Sequence, residues 1–292
     1  MKSNLVAVGC PSRGVSPFNA LGTAIGLQDF QWLSVGQAAL FQLDRSLDNA
    51  SVRALKEHAA SLEIDLFITH KPLEKKKLLV ADMEATIILD EMLDLLAEDL
   101  GLGEAVANIT SLAMNGRIDF TRSLAARTAL FAGTPESRLR GLCEKIRFTP
   151  GAQRLVSSMK KSGARTILVT GGYDIFAQRV KQVCGFDEVI ANKPVVQDGV
   201  LTGHLVSPVC SASTKREVLE RACGALGVSP DHACAIGDGA NDIDMLKIAG
   251  LSASYHGKPV LRDLVDFNFV HSDLTAVLFA QGYRDSEISA QA

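Results

Sequence analysis

The stretch that decides the fold is LLVADMEATIILDEM, residues 78–92. Its first residues form an apolar run that is typical of a buried parallel strand, and Asp82 stands where that strand should end. Glu84, Asp90 and Glu91 follow closely. Several carboxylates at the end of one strand repel each other unless a cation lies between them. The stretch therefore predicts a strand followed by a site that uses these acids.

Two later stretches have the same form. RTILVTGG, residues 165–172, and HACAIGDG, residues 232–239, are apolar runs that end in glycine or aspartate, and a helical pattern precedes each of them. Strands that alternate with helices predict a Rossmann-like parallel α/β sheet covered on both faces. Ligands of such sheets bind beyond the carboxyl ends of the strands, so the polar residues of all three stretches should meet at one edge.

A long segment separates the first two of these strands. It contains about 80 residues, whereas a crossover between parallel strands needs only about a dozen. Helical apolar spacing fills most of it, for example in LDEMLDLLAEDL and FTRSLAARTALF. We interpret residues 89–147, approximately, as a helical cap inserted over the site.

The amino-terminal residues 1–70 have a different pattern. Short apolar and helical patterns alternate there as strand-helix-strand-strand-helix-strand, which is the order of a small α+β ferredoxin-like domain. The charged segment KPLEKKK, residues 71–77, follows as a linker. The sequence thus predicts one domain over residues 1–75 and a second, larger α/β domain over residues 76–292.

Composition narrows the class of protein. The chain has 292 residues, a formal net charge of -3 and 47% hydrophobic residues, and its pI is near 6.1. A general nucleic-acid partner would favour a basic chain, so we expect none. No run reaches the roughly 18 apolar residues of a membrane span, so we expect no membrane partner. The six cysteines are scattered and are typical of buried thiols in a cytoplasmic protein.

The strand ends carry a consistent chemistry. Asp82, Asp238 and Asp242 are hard oxygen ligands without paired histidine or cysteine, which indicates Mg²⁺. Thr170 offers a hydroxyl beside glycine N–H groups that open onto a helix, a geometry that receives phosphate. Lys215 could neutralise a further phosphate charge. Taken singly these residues have structural explanations, but together they predict phosphoryl transfer through an aspartyl-phosphate.

The order of DMEAT, VTGGYD, a lysine and GDGAND resembles the haloacid dehalogenase superfamily of phosphatases. Closer detail, such as TPGAQRLV, DGVLTGHLV and GDGANDIDMLKIAGL, resembles the bacterial phosphoserine phosphatases. The resemblance extends from about Lys76 to DLTAVLFAQGYR, near the end of the chain. The amino-terminal part is compatible with the ACT-like domain that some of these enzymes carry.

The resemblance implies a role for each matching residue. The substrate would be phosphoserine and the cofactor Mg²⁺. The implied roles are nucleophile for Asp82; metal binding for Asp82, the Glu84 carbonyl and Asp238, with support from Asp242; phosphoryl binding for Thr170, Gly171 and Lys215, with Asn241 nearby; and binding of the substrate ammonium by Glu91 and of its carboxylate by Arg127.

The second acid of DMEAT departs from the family pattern. Aspartate is usual where this chain has Glu84, and serine is usual where it has Ala85. In the family this acid protonates the leaving oxygen and activates water. Glutamate keeps the carboxyl group on one more methylene, which changes its reach for proton transfer. The departure therefore affects acid–base catalysis more than a backbone carbonyl contact to a metal ion.

Three functions remain open at this point. The chain is a phosphoserine phosphatase with an altered acid/base, a phosphotransferase that passes the phosphoryl group to an alcohol such as homoserine, or a catalytically weak regulatory homologue. The first agrees best with the cap sequence. The resemblance also allows a small-molecule effector at the amino-terminal domain and a homodimer.

Overall fold

The structure, a computed structural model, describes residues 2–27, 29–115 and 117–290. The amino-terminal region contains β1 (Ser3–Gly9), α1 (Ser16–Ile25), β2 (Gln31–Ser34), β3 (Ala38–Leu43), α2 (Asn49–Ser61) and β4 (Ile64–Thr69). Its strands form an antiparallel sheet in the order β2-β3-β1-β4. Gly36 gives the turn between β2 and β3 its left-handed backbone, with φ of 73°. This is the ferredoxin-like arrangement that the sequence predicts.

The following part of the chain builds a parallel sheet with helices on both faces. Its elements are β5 (Leu78–Ala81), α3 (Met92–Asp99), α4 (Gly103–Met114), α5 (Phe120–Leu130), α6 (Glu136–Cys143), α7 (Ala152–Lys161), β6 (Arg165–Tyr173), α8 (Asp174–Cys184), β7 (Glu188–Asn192), β8 (Pro194–Gln197), β9 (Val200–Leu205), α9 (Ala212–Leu226), β10 (Ala233–Ile236), α10 (Ile243–Leu246), β11 (Leu251–Tyr255), β12 (Phe267–Phe269) and α11 (Ala276–Ala280).

Six of the described strands form this sheet, in the order β12-β11-β10-β5-β6-β7, and each neighbouring pair is parallel. Side chains of β5 alternate between two cores: Leu79 packs in the core that contains Phe176 of α8, and Val80 packs in the core that contains Leu219 of α9. Burial on both faces explains the continuous apolar run of this strand. The predicted α/β fold class is confirmed, and β10, β5 and β6 are neighbours.

Helices α3 to α6 follow β5 before the chain returns to the sheet through α7. The two ends of this helical segment lie side by side. Ile88 pairs with Phe148 in an antiparallel bridge, and Leu89 N–H donates to Arg147 O at 2.8 Å. Arg147 also donates two side-chain hydrogen bonds, of 2.8 and 2.6 Å, to buried Asp90. The helical segment is therefore joined to the rest of the protein by two neighbouring, hydrogen-bonded connections.

A hairpin formed by β8 and β9 adds to this helical segment, and the sequence did not predict it. Gly133 N–H donates to Leu201 O at 2.8 Å. Gly203 has φ of 83°, and a Cβ atom there would lie 3.1 Å from Cβ of Ala132 and 3.3 Å from Ala129 Cα. The hairpin thus packs closely on the carboxyl end of α5. Its pattern was not distinctive because the two strands are short and largely solvent-facing.

The amino-terminal sheet packs against the larger one. Leu5 of β1 lies in a core with α1 and α2, whereas the neighbouring Val6 lies on the opposite face, in the core that contains Phe267 of β12. The rings of Phe67 in β4 and Phe267 have centroids 5.8 Å apart. Both faces of the small sheet are therefore covered, one by its own helices and one by the larger region.

Asp65 of β4 fixes this junction. Its buried carboxylate accepts hydrogen bonds from the backbone N–H groups of Val270, His271 and Ser272 at 2.8 to 2.9 Å, and a further one of 2.6 Å from the Ser272 hydroxyl. Hydrogen bonds to a charged acceptor are among the stronger ones in proteins. The loop after β12 therefore folds around a side chain supplied by the amino-terminal sheet.

The domain limits at residues 75 and 76, and the cap limits of about 89 and 147, stay predictions. None of the helices in the described residues is long and apolar enough to cross a membrane.

Candidate active site

Asp82 lies directly after β5, at the carboxyl edge of the sheet. Its N–H donates to Ile236 O at 2.9 Å, and its Oδ1 accepts from Met83 N–H at 2.8 Å. The backbone then makes an irregular turn over Met83–Ile87, in which Ala85 has left-handed backbone with φ of 50°. Such a conformation is uncommon for a residue other than glycine. The turn brings Glu84 back over the sheet edge.

Asp82, Asp238 and Asp242 form a compact cluster. One carboxylate oxygen from each lies within 4.8 Å of the others, and all three side chains are buried. The pKa of Asp82 is raised to about 7 by burial and by the charges of Asp242 and Asp238, with Lys215 opposing this rise. Negative charges this close repel each other, which favours a cation among them.

Lys215 of α9 supplies one positive charge to the cluster. Its buried Nζ lies 2.8 Å from Asp82 Oδ1 and 2.6 Å from Asp242 Oδ1. Burial alone would lower the pKa of Lys215, but the two carboxylates raise it above its usual range. The lysine therefore stays charged and fixes the orientation of the Asp82 carboxylate.

Asp242 shapes the loop that carries Asp238. Its Oδ2 accepts from the N–H groups of Asp238 at 3.1 Å and Gly239 at 3.0 Å. A Cβ atom at Gly237 would lie 2.3 Å from Asp242 Cγ, so the close approach requires glycine there. On the solvent side, Lys258 Nζ lies 2.9 Å from Asp238 Oδ2. Asp242 thus acts mainly as a support of the cluster.

The cluster fits a divalent metal ion. Among the described residues, Oδ2 of Asp82 and Oδ1 of Asp238 accept no hydrogen bond, so each carboxylate retains one oxygen for a ligand. The donor set consists of oxygen atoms, which suits a hard cation. Asp82, Asp238 and, more remotely, Asp242 are therefore the residues that could hold it.

A cradle for an anion lies beside the cluster. The buried Thr170 hydroxyl accepts from Gly172 N–H at 2.9 Å, and Asn192 Nδ2 donates to Gly171 O at 2.8 Å. A small cavity here is lined by Thr170, Gly171, Lys215, Asn241 and Phe120, together with the first residues of α9. A helix N-terminus and a lysine facing one cavity favour bound negative charge.

Glu84 reaches across the turn to α3. Its Oε1 accepts from Met92 N–H at 2.8 Å, and a Cβ atom at Gly172 would lie 3.1 Å from its Oε2. The pKa of Glu84 is raised to about 8 by burial and by the charge of Glu91, against the lowering effects of the Met92 hydrogen bond and of Arg127. Glu84 is therefore a carboxyl group that carries a proton near neutral pH, between the cradle and the helical segment.

Arg127 of α5 and Glu91, which precedes α3, both lie near the carboxyl group of Glu84. Both act electrostatically on Glu84, with opposite signs. Glu91 is exposed, whereas Nε of Arg127 is buried and has no hydrogen-bond partner among the described residues. A buried donor without a partner is costly, which makes it a candidate for contact with an anionic ligand. The two side chains present opposite charges to the site.

Phe120 closes the cavity at the first turn of α5. A Cβ atom at Gly171 would lie 2.5 Å from Phe120 Cζ, so the ring rests on the glycine backbone. A side chain at position 171 would displace the ring. The helical segment is thus in contact with the anion cradle in this structure.

Ten residues were predicted from the sequence to form the site, and nine of them lie at or above one edge of the sheet: Asp82, Glu84, Glu91, Arg127, Thr170, Gly171, Lys215, Asp238 and Asp242. The tenth, Asn241, lines the cavity beside the cluster. Their assignment to catalytic, binding and metal roles stays a prediction. Sequence reasoning missed Lys258 and Asn192. Asn192 ends β7 and Lys258 follows β11. Their positions after strands of the same sheet could have indicated them.

Comparisons with known proteins agree with this arrangement. Residues 79–247 match the model of the haloacid dehalogenase-like hydrolase family. Phosphoserine phosphatase of Albidiferax ferrireducens is 37% identical over 226 residues, which cover 75% of this chain and 95% of that protein. Phosphoserine phosphatase of Streptomyces coelicolor is 35% identical over 239 residues, or 81% of this chain. The structure of a probable phosphoserine phosphatase from Vibrio cholerae has a TM-score of 0.80 at 27% identity, and the match covers 98% of this chain and 88% of that one.

The parallel sheet, the helical segment over its edge and the acidic cluster define a hydrolase of the haloacid dehalogenase type. This chain belongs to the haloacid dehalogenase-like hydrolase family, whose model covers more than half of it. The matched region spans 58% of the length of the Streptomyces relative.

Proposed function

We propose that this protein is a phosphoserine phosphatase, which hydrolyses O-phospho-L-serine to serine and phosphate. One observation carries the proposal. A carboxylate, Asp82, is held by Lys215 at 2.8 Å beside a cradle formed by Thr170 and Gly171, and a second carboxyl group, that of Glu84, lies against the adjacent Gly172. These residues would supply the nucleophile, the phosphate site and the proton donor that an aspartyl-phosphate mechanism requires.

We infer that the metal ion is Mg²⁺. Asp82, Asp238 and the carbonyl of Glu84 would hold it, with Asp242 in support. Two of the acids keep an oxygen without a hydrogen-bond partner among the described residues, and Mg²⁺ accepts a few carboxylates together with substrate phosphate oxygens. When bound, the ion would neutralise charge on the phosphoryl oxygens and on the cluster.

The residues of the chain account for the two chemical steps. Asp82 attacks phosphorus, a bond forms between its oxygen and phosphorus, and the bond from phosphorus to the serine oxygen breaks. Glu84, protonated near neutral pH, donates the proton that the leaving oxygen needs. Glu84 then accepts a proton from water as water attacks the aspartyl-phosphate, which releases phosphate and restores both carboxyl groups. Lys215 and Thr170 hold the phosphoryl oxygens throughout.

The charges above the cradle match the rest of the substrate. Phosphoserine carries one ammonium and one carboxylate group besides its phosphate. Glu91 would pair with the ammonium, and the buried unpartnered Nε of Arg127 would donate to the carboxylate. Phe120 would exclude water from the closed site, because its ring already covers Gly171. The site therefore recognises all three charged groups.

The two other functions fit less well. The relatives at 35% and 37% identity are phosphoserine phosphatases, which does not favour a phosphotransferase. A catalytically weak homologue would not need to preserve Asp82, Lys215 and Asp238 in one buried cluster.

Phosphate release from L-phosphoserine with Mg²⁺ tests the proposal, in the presence and absence of homoserine. A phosphatase releases one phosphate for each serine formed, and homoserine leaves this ratio unchanged. A phosphotransferase would form phosphohomoserine and release correspondingly less phosphate. The absence of both products with L-phosphoserine would contradict the proposal.

Four further expectations stay predictions: the division into domains at residue 75, a small-molecule effector at the amino-terminal domain, a homodimer and a cytoplasmic location.

A further inference from the structure

A second cleft lies at the junction of the two sheets, separate from the active site. It has a volume of about 560 Å³, within the range of roughly 300–1,000 Å³ that is common for small-molecule sites. The inner face of the amino-terminal sheet, the segment after β4 and the segment after α11 each contribute one wall. A ligand there would contact both regions of the chain.

The cleft is basic. Its charged lining side chains are Lys2, Lys75 and Arg284, with His70 beside them, and the described lining contains no acidic residue. The chain as a whole has more acids than bases, 33 against 30. A wall made of basic and amide side chains therefore differs from the average surface of this protein and favours an anion.

Some of these groups have partners and others do not. Lys2 pairs with Asp44, and Lys75 pairs with Glu287. The Arg284 guanidinium and the Gln31 amide make no side-chain hydrogen bond or ion pair within the described residues. Arg284 presents five donors in a planar fork that matches a carboxylate or phosphate. It is the group best placed to bind a ligand in the cleft.

The wall that the amino-terminal sheet contributes contains polar side chains. The inner face of β1 is apolar at Val6, which packs in the main core, and becomes polar at Asn4. Asn4 lies directly opposite Gln42 in β3, and Gln42 Nε2 donates to Asn4 Oδ1 at 3.1 Å. Leu33 in the adjacent strand forms an apolar part of the same wall. The cleft thus combines hydrogen-bonding amides, an apolar surface and the Arg284 guanidinium in one lining.

We propose that this cleft binds a small organic dianion that carries carboxylate groups and no ammonium group. The basic side chains pair with the negative groups, and the apolar surface receives a short hydrocarbon chain. A zwitterionic amino acid is disfavoured, because the carboxylates next to the lining, Asp44 and Glu287, are already paired with Lys2 and Lys75. This proposal is independent of the function of the active site.

Succinate and L-aspartate form a matched pair of probes, since they differ by one ammonium group on the same carbon skeleton. Titration calorimetry on the full chain measures their binding. Three variants are compared with the unaltered protein: Arg284→Gln in the cleft, Arg262→Gln at an exposed position outside it, and Asp82→Asn in the active site.

We expect succinate to bind in the millimolar range or tighter and L-aspartate to bind at least tenfold more weakly. Arg284→Gln should weaken succinate binding about tenfold or more, as loss of a charge-assisted hydrogen bond does. Arg262→Gln and Asp82→Asn should leave it unchanged. Three results would overturn the proposal: no succinate binding, equal binding of L-aspartate, or loss of binding in Asp82→Asn with retention in Arg284→Gln.

Discussion

Glu84 accepts a hydrogen bond of 2.8 Å from the backbone N–H of Met92, the first residue of α3. This contact connects the carboxyl group proposed as acid/base to the first helix above the site. An aspartate on the same backbone is shorter by one methylene and could not make it without a shift. The glutamate at position 84 therefore makes a contact that uses its extra methylene, and Gly172 leaves room for the longer side chain.

The first prediction concerns this residue. Glu84→Gln should lower turnover of phosphoserine by about a hundredfold or more, because general acid–base catalysis typically contributes that much. Glu84→Asp keeps the proton but loses the Met92 contact, so we expect a smaller decrease of about tenfold. An aryl phosphate with an acidic leaving group should be spared in the phosphorylation step. Steady-state and pre-steady-state phosphate release measures all three effects.

Glu98→Gln is the control, since Glu98 is an exposed acid on the same helix. If Glu84→Gln hydrolysed phosphoserine at the unaltered rate, another group would carry the proton.

The second prediction concerns recognition of the substrate carboxylate. Arg127→Ala should raise the KM for phosphoserine by about ten- to a hundredfold, the equivalent of a lost hydrogen bond between charged groups. A small aryl phosphate has no such carboxylate, so its KM should change little. Arg122→Ala, at an exposed position on the same helix, should affect neither substrate. Equal increases for both substrates would contradict the assigned role of Arg127.

The third prediction concerns Lys258. Its ammonium group lies 2.9 Å from Asp238 and so competes for the charge that a metal ion would use. Lys258→Met should therefore strengthen Mg²⁺ binding, by roughly fivefold for one charge in a largely aqueous setting. Calorimetric titration without substrate measures this, and Lys247→Met, at an exposed position, is the control. Weaker Mg²⁺ binding in Lys258→Met would mean that the lysine instead positions Asp238.

The fourth prediction concerns stability. Asp65→Ala removes the acceptor of three backbone N–H groups and one hydroxyl at the junction of the two sheets. We expect the free energy of unfolding in urea to fall by about 3 kcal/mol or more, because buried donors lose their partner. Asp44→Ala, whose side chain is 89% exposed and paired only at the surface, should cost under about 1 kcal/mol. Equal losses would show that Asp65 does not hold the junction.

Local patterns were enough to predict the parallel sheet and most of the site. The apolar run before Asp82 and the glycine turns after β6 and β10 are properties of short segments, and parallel topology brings their ends to one edge. The ferredoxin-like order of β1 to β4 could be predicted for the same reason.

Features that depend on contacts between distant segments could not be predicted. The hydrogen bond between Glu84 and Met92 depends on the irregular turn at Ala85, which no propensity indicates. The packing of Asp65 on the loop after β12 joins residues about 200 positions apart. Lys258 is an ordinary exposed lysine in sequence, and only the fold brings it to Asp238. Such contacts arise from tertiary structure.

The most direct test of the account is the search for a covalent phosphoryl group on Asp82. The Mg²⁺-loaded protein is mixed with radiolabelled phosphoserine and quenched in acid within a single turnover. We predict protein-bound label that hydroxylamine releases, as for an acyl phosphate, and none in Asp82→Asn, whose phosphate release is also abolished. Label of equal amount in Asp82→Asn, or rapid phosphate release by that variant, would contradict nucleophilic attack by Asp82.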